Sequence, residues 1–401
     1  MNLHHPLASV VVALALAFTL VAPVSTLAAP EAAPKAVPKA AKKENSTDMR
    51  YVVMLGSHDF AGLAAAEKTI IDNYRKRLIG TDEFNDQIIG LVWPPSASYI
   101  PDAELWVKAQ PESYAARLGL GRLQLYAAWE ARGSGLARDV SREQFAAMRV
   151  LLKKAEENLL ASTKLFEKPF PSYNNLINVD AMLSQGNMRH YLDQAIKIDP
   201  TAKLAYDRYI QYRIPRWGGS YAELDALIAE IKKGPMLPED QADLAAFVLT
   251  WKAVDAPNPA STIDLYIQAY EQLPIQGKVF RLYWAADVAK KNNLNKRAIE
   301  IYTRIIDAYP DEHKAYFERG YRYDQMQNYE LALKDFVASA KLGNKYAQNN
   351  AGYSYMTGRG GLKDLTLAKF YLTQSAAQGF EHAQEKLKVL EAMLAAEDAK
   401  K

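Results

Sequence analysis

One pattern recurs at a fixed spacing between Val279 and His382, and it constrains the fold more than any other feature. Two units separated by about 34 residues correspond at four positions. These positions are Ala286, Ala289, Ala298 and Tyr302 in the first unit and Gly320, Tyr323, Ala332 and Phe336 in the second. Three of the four pairs agree in kind, and Ala289 against Tyr323 does not. Small residues let two helices approach closely while an aromatic ring fills the adjacent groove, so the pattern predicts stacked helix pairs.

The spacing and residue kinds of these two units resemble the tetratricopeptide repeat. The next stretch, AQNNAGYSYMTGRGGLKDLTLAKFYLTQSAAQGFEHA, instead resembles a Sel-one-like repeat, and Ala383 restarts its register. Its small, acidic and aromatic pattern positions are Ala347, Gly352, Tyr355, Gly358, Gly360, Asp364, Ala368, Tyr371, Ala376, Ala377 and Gly379. These resemblances imply an all-α fold, a superhelical array of antiparallel helix pairs.

Composition narrows the class of protein. The chain has 401 residues, of which 49% are hydrophobic and 24% charged, as in ordinary folded proteins. A net charge of +3 gives no electrostatic reason to expect a nucleic-acid partner. The absence of cysteine excludes disulfides, thiolate metal sites and cysteine nucleophiles. We therefore predict no nucleic-acid partner and no cofactor.

The first residues are typical of an export signal. Residues 7–22 form an apolar run, Pro23 ends it, and small residues around Ala28 suit cleavage there. We predict a signal peptide over residues 1–28 and a periplasmic or secreted mature protein without membrane contact. The n-region MNLHHP lacks Lys and Arg, which departs from the signal pattern. An uncleaved membrane anchor is the alternative, because the apolar run is near the short limit for spanning a bilayer. Residues 29–48, rich in Ala, Pro and Lys, are predicted to form a disordered linker.

The predicted helical domain spans residues 49–240. Its stretch MRYVVML has a composition that favours a strand, and we leave it unassigned. The runs QPESYAARLG, AWEARG and PRWGGS resemble the bacterial DUF4034 family across about residues 50–240. This resemblance implies a helical fold and supplies no activity. Candidate structural residues in these runs are Trp129, Arg132, Gly133, Pro215, Arg216, Trp217, Gly218 and Gly219. We expect the Trp217 ring to fold back over the preceding helix pair.

Three further segments follow the helical domain. Residues 241–278 are predicted to form a connecting helix pair around the Asn258-Pro259 turn. Residues 279–346 hold the tetratricopeptide-like repeats. Residues 347–401 hold the Sel-one-like repeat and a terminal helix that caps the array, since solenoids must cover their last apolar face.

No motif predicts catalysis or a metal site. The histidines beyond the signal, at positions 58, 190, 313 and 382, are too far apart for a helical metal motif. The chain lacks a Gly-x-Ser-x-Gly elbow, and no Gly-Lys-Ser/Thr follows the glycines at 358–361. We therefore expect no catalytic residue, no metal ligand and no enzymatic activity.

The aromatic residues of the repeats give the strongest functional hint. Most Tyr residues are expected to pack between helices, but Tyr and Arg on the first helix of a repeat suit protein recognition. The candidate binding residues are Tyr316, Arg319, Tyr323 and Tyr353. We predict a protein-protein interaction scaffold, in which changing Tyr316 and Arg319 to Ala weakens partner binding without loss of stability. An immunity or inhibitor protein against a secreted toxin, and an enzyme with a cleft in residues 50–240, are the alternatives.

Overall fold

The computed structural model describes residues 49–93, 95–135, 139–272 and 279–398, which form nineteen α-helices and no β-strand. The predicted all-α fold is confirmed. The predicted signal peptide and linker lie outside the described residues. Among the residues described, no helix is both long and apolar enough to span a bilayer.

Ten helices precede residue 232. They are α1 (Arg50–Gly56), α2 (Phe60–Arg75), α3 (Thr81–Gly90), α4 (Ile100–Ala109), α5 (Tyr114–Arg132), α6 (Arg142–Ser162), α7 (Phe170–Leu183), α8 (Met188–Ile198), α9 (Lys203–Tyr212) and α10 (Tyr221–Ile231). The unassigned stretch MRYVVML forms most of α1, because burial of Val52 and Leu55 against the core outweighs its strand composition.

Nine helices follow. They are α11 (Pro238–Val254), α12 (Pro259–Glu271), α13 (Phe280–Lys291), α14 (Asn295–Ala308), α15 (His313–Gln325), α16 (Tyr329–Lys341), α17 (Lys345–Thr357), α18 (Leu365–Ala377) and α19 (Glu381–Asp398). Each helix packs against its neighbours in sequence, which is the arrangement of a repeat array.

Side-chain caps fix where several helices begin. The Ser141 hydroxyl accepts a bond from the N–H of Gln144, whose side chain accepts one from the N–H of Ser141, forming a capping box for α6. Ser220 caps α10 through the N–H of Glu223, and Asn258 caps α12 through that of Ser261. These two serines and the asparagine are N-caps, and the three helices begin where the sequence predicted.

The repeat positions lie where adjacent helices touch. Ala286, Ala298 and Ala332 are buried. A Cβ added to Gly320 would lie 3.0 Å from the Cβ of Asp335 and 3.1 Å from the ring of Phe336, so α15 and α16 approach more closely than a larger residue would allow. The recurrent small residues therefore lie where neighbouring helices are in close contact.

The glycine-rich loop at residues 358–361 is structural. A Cβ at Gly360, whose φ is +89°, would lie 2.1 Å from the carbonyl oxygen of Tyr329. Arg359 pairs with Asp324 at 3.0 Å, and its guanidinium lies 4.1 Å from the centroid of the Tyr329 ring. The loop therefore docks the Sel-one-like unit on the preceding helix pair.

The described residues belong to one compact unit whose apolar core changes character along the chain. One large cluster runs from Leu55 to Val248, and smaller successive clusters begin at Ala253. The change falls inside α11, whereas the predicted boundary at residue 240 lies near the start of that helix. The smaller clusters hold residues of neighbouring helices, as expected when stability comes from nearest-neighbour interfaces.

Candidate protein-binding surface

Aromatic rings from three successive repeat units touch one another along the array. We call this set the aromatic row, and it consists of Tyr321, Phe317, Tyr346, Phe380 and His382. The ring centroids along it are separated by 6.5, 6.0, 5.2 and 5.5 Å. The row therefore forms one continuous surface from α15 to the start of α19, in the range where aromatic pairs attract.

Local structure orients the rings of the aromatic row. Phe317 and Tyr321 are four residues apart on α15, so they lie on one face of the helix. Tyr346 is held at the first turn of α17, where its N–H donates to the Asn344 side chain at 2.9 Å. Phe380 lies in the short turn before α19, and its ring meets the edge of Tyr346.

Three rings of the row are open to solvent, because the His382 side chain is 71% exposed in addition to two tyrosines. Tyr321 is 40% exposed and Tyr346 is 48% exposed. The Lys345 ammonium lies 5.5 Å from the centroid of Tyr346. Lys314 lies 4.9 Å from the centroid of Tyr283 on α13, which is outside the row. The surface can thus offer ring faces to apolar side chains and the Lys345 ammonium to an acidic one.

Arg319 does not belong to this open surface. Its Nε and Nη2 donate to the two carboxylate oxygens of Asp335 at 2.7 and 2.8 Å, and its Nη1 donates to Thr303 at 3.0 Å. The side chains of Arg319 and Asp335 are only 16% and 4% exposed. These three donors of Arg319 are used within the array, and partner binding by Arg319 stays a prediction.

The three candidate tyrosines differ in position. Tyr316 is partly buried against the second core cluster and Tyr323 against the third, so both contribute to packing. Tyr353 is 37% exposed on α17, and the Lys386 ammonium lies 5.7 Å from its ring centroid. Partner binding by these three tyrosines stays a prediction. Of the three, Tyr353 is the one whose ring is open to solvent.

The Trp129, Arg132 and Gly133 group closes α5. The Arg132 Nη1 donates to the carbonyl oxygens of Gly133 and Gly135 at 3.0 and 3.1 Å. Its guanidinium also lies 5.8 Å from the Trp129 ring centroid. Gly133 adopts a φ of +76°, which favours glycine at a helix end.

The turn from Pro215 to Gly219 ties α9 to α10. Gly218 has a φ of +88°, and a Cβ on Gly219 would lie 1.9 Å from the carbonyl oxygen of Arg213. The Arg216 guanidinium pairs with Asp255 at 2.7 Å, just after α11. This turn therefore joins the helical domain to the array.

Trp217 folds back over the preceding helix but stays largely exposed. Its ring meets the edge of Tyr212 on α9 at a centroid distance of 6.3 Å, so it does fold back toward the preceding helix. Nevertheless 56% of the residue remains exposed. The ring therefore folds back as expected but is not fully buried, because the 3-10 turn over Pro215–Trp217 keeps this residue at the surface.

A shallow cleft in the first 240 residues lies between α2 and the loop before α5. Its buried carboxylate, Glu67, accepts bonds from the Ser113 hydroxyl at 2.6 Å and the Ala115 N–H at 3.0 Å. This carboxylate thus holds the start of α5 in place. Within the described ranges, no group of three or more His, Asp or Glu side chains could hold a metal ion.

Sequence reasoning missed Phe317, Tyr321, Tyr346 and Phe380. One signal was available, since Tyr346 and Phe380 are separated by one repeat length of about 34 residues. Another was the i, i+4 spacing of Phe317 and Tyr321 on a predicted first helix.

One family model matches part of the helical domain. Residues 159–232 match the family described as Domain of unknown function (DUF4034). This match confirms the resemblance over a shorter stretch than residues 50–240. No curated protein matches this chain in sequence.

Several solved structures are similar to the array. One is YrrB, a TPR protein with an unusual peptide-binding site, with 16% identity over 47% of this chain and 93% of that one and a TM-score of 0.27. Another is c5321 of uropathogenic Escherichia coli, a protective antigen with an SLR fold, with 18% identity over 85% and 71% and a TM-score of 0.30. A tetratricopeptide repeat protein from Parabacteroides merdae shares 13% identity over 72% and 98%, with a TM-score of 0.29.

These TM-scores are low, so the architecture is assigned from the helix pairs and their small-residue contacts rather than from the similar solved structures. The chain combines a segment similar to DUF4034 with an all-α array of helix pairs of the tetratricopeptide and Sel-one-like kind.

Proposed function

We propose that this protein is an exported scaffold that binds another protein or a peptide through the aromatic row. The observation that carries the proposal is the row itself, five touching rings from three units with Tyr321 and Tyr346 exposed. Packing within the array does not require tyrosines to remain open to solvent, whereas exposed aromatic anchors are typical of recognition surfaces.

The flanking charges define the partner further. Lys345 lies beside Tyr346 of the row, so the fitting segment carries apolar or aromatic side chains together with acidic ones. We assign the protein binding and no catalysis. In the cleft between α2 and the loop before α5, the Glu67 carboxylate is used to hold the start of α5.

Paired variants test the binding surface. Changing both Tyr321 and Tyr346 to Ala should reduce partner capture from an extract at least about tenfold, as expected when exposed aromatic anchors are lost. Phe370→Ala is the matched control, since Phe370 is 52% exposed on α18 and lies outside the row. Quantitative mass spectrometry of proteins retained by each variant provides the measurement. Equal retention by the double variant and the control would refute the proposal.

Export is proposed from the N-terminal sequence. The mature protein should be recovered from the periplasmic fraction or the medium, and its N-terminal sequence should begin within a few residues of Ala29. Recovery of membrane-bound protein that retains Met1 would contradict this part of the proposal and leave the binding surface unaffected.

A further inference from the structure

A polar cavity lies over α5 in the helical domain, in the groove between α4 and α6. Both of these helices pack against α5. The groove between them holds a cavity of about 420 Å³, lined by side chains of all three helices. This volume is typical of sites that bind small molecules. The cavity shares no residue with the aromatic row.

A hydrogen-bonded chain fixes the orientation of Gln124, a residue of α5 that lines the cavity and is 3% exposed. Asn158 on α6 donates from Nδ2 to the carbonyl oxygen of Lys154 at 3.1 Å and to Oε1 of Gln124 at 3.0 Å. Arg117 donates from Nη1 to Oδ1 of Asn158 at 3.1 Å. A guanidinium can only donate and a backbone carbonyl can only accept, so these partners determine which end of the Asn158 amide is nitrogen. The oxygen of Gln124 must then face Asn158.

The carboxamide nitrogen of Gln124 therefore points away from Asn158. It donates to no acceptor among the described residues, and it is not sealed in the core. Because Gln124 lines the cavity, this nitrogen is a donor that the cavity presents to a ligand. The bonds from Arg117 through Asn158 to Gln124 run in one direction, so each group polarises the next and strengthens the last donor. A fitting ligand therefore supplies an acceptor oxygen.

The rim of the cavity carries charges of both signs. Arg117 and Lys154 supply two cations, and Glu104 and Glu157 supply two carboxylates. Within the part of the chain that the structure describes, none of the four is in an ion pair. The opposite charges balance, so the rim favours neither a simple anion nor a simple cation. It suits a small molecule that carries one charge of each sign.

The cavity also has an apolar part. Val107 on α4 and Leu120 on α5 line it and are 8% and 4% exposed. An apolar group of a ligand gains free energy by contact with them, because apolar surface is removed from water. The fitting ligand thus combines an acceptor oxygen, one charge of each sign and an apolar group.

We propose that this cavity binds a zwitterion of the amino-acid class with an apolar side chain. The carboxylate of the ligand accepts from the free amide N–H of Gln124 and from the remaining donors of Arg117. Its ammonium faces the two glutamates of the rim, and its side chain lies on the apolar part of the cavity. The site lies outside the aromatic row, so its success or failure leaves the scaffold proposal unchanged.

Calorimetric titration of the full chain tests which groups the cavity recognises. The probes are L-leucine, L-leucinamide, which lacks the carboxylate, and N-acetyl-L-leucine, which lacks the ammonium. L-leucine should bind at millimolar concentration or below. Each of the other two should bind at least about tenfold more weakly, because one set of charge-assisted hydrogen bonds is lost. Absence of leucine binding, or equal affinity for the three probes, would overturn the proposal.

Variants place the binding in the cavity. Gln124→Met removes the floor donor at similar size and should weaken leucine binding about tenfold or more. Glu157→Gln and Lys154→Gln change exposed rim charges and should each weaken it about two- to fivefold. Arg149→Gln is the control, since it removes a charge from an exposed position of α6 outside the cavity and should leave the affinity unchanged.

The rim variants keep the test decisive if Gln124→Met fails to fold, because Glu157 and Lys154 are exposed and their loss leaves the core intact. Leucine affinity equal to wild type in a folded Gln124→Met variant would refute the floor assignment. Equal effects of Glu157→Gln, Lys154→Gln and Arg149→Gln would show that leucine binds elsewhere, and the proposal would then be wrong.

Discussion

The ion pair between Arg319 and Asp335 gives the sharpest test of how the array is held together. Asp335 on α16 is 4% exposed at its side chain and accepts two bonds from Arg319 on α15. Changing Arg319 to Ala removes both donors and leaves a buried carboxylate without its partner. This outcome differs from the expectation that Tyr316 and Arg319 can be changed to Ala without loss of stability.

The size of the effect follows from burial. Removing one member of a buried ion pair costs about 3–5 kcal/mol, because the remaining charge stays desolvated. An exposed pair costs at most about 1 kcal/mol. Arg304 on α14 and Glu271 on α12, at 2.7 Å, supply that comparison, since their side chains are 50% and 53% exposed.

Hydrogen exchange of α15 and α16 measures the difference locally. Arg319→Ala should speed exchange in these helices by roughly two to four orders of magnitude, since about 1.4 kcal/mol corresponds to tenfold. Arg304→Ala should change exchange in α14 by less than about tenfold. The Arg319→Ala/Asp335→Ala double variant should lose less than the sum of the single variants. Additive single losses, or protection equal to wild type in Arg319→Ala, would refute the assignment of Arg319 as a structural residue.

Three other changes have defined outcomes. Gly219→Ala should lower stability by about 2–3 kcal/mol in thermal unfolding, because its Cβ would meet the backbone oxygen of Arg213 at 1.9 Å. Trp217→Ala should cost less than about 1 kcal/mol, well below the value for a buried ring, because the side chain is largely exposed. Truncation after Gln384 removes most of α19 and should increase exchange first in α18 and α17, with the first 240 residues unchanged. Uniform loss of protection would show that the chain unfolds as one cooperative unit.

The sequence predicted those parts of the fold where a residue type serves a single purpose, such as close helix packing or helix capping. Ala286 and Gly320 are small because a neighbouring helix lies against them, and this need repeats with the unit. Ser141 and Ser220 accept bonds from the free N–H groups at helix starts. Such signals act over a few residues or at one fixed period, so they are visible without the structure.

The binding surface was harder to predict because a residue type there has several uses. Arg319 suits recognition by composition, but its role depends on Asp335, which lies on the following helix. Trp217 is large and apolar, but the turn that carries it lies at the surface. In both positions the decisive fact is where another segment passes, and local sequence does not contain it.

The open face of α15 can nevertheless be derived once its packed faces are known. Ala315, Gly320 and Arg322 are buried, so they occupy the sides of the helix that meet its neighbours. At 3.6 residues per turn, Lys314, Phe317 and Tyr321 fall together on the remaining strip. Arg319 and Tyr316 fall on the opposite side. The small repeat residues are therefore assigned to helix contacts first. The strip of α15 that remains then contains Tyr321 and leaves out Arg319.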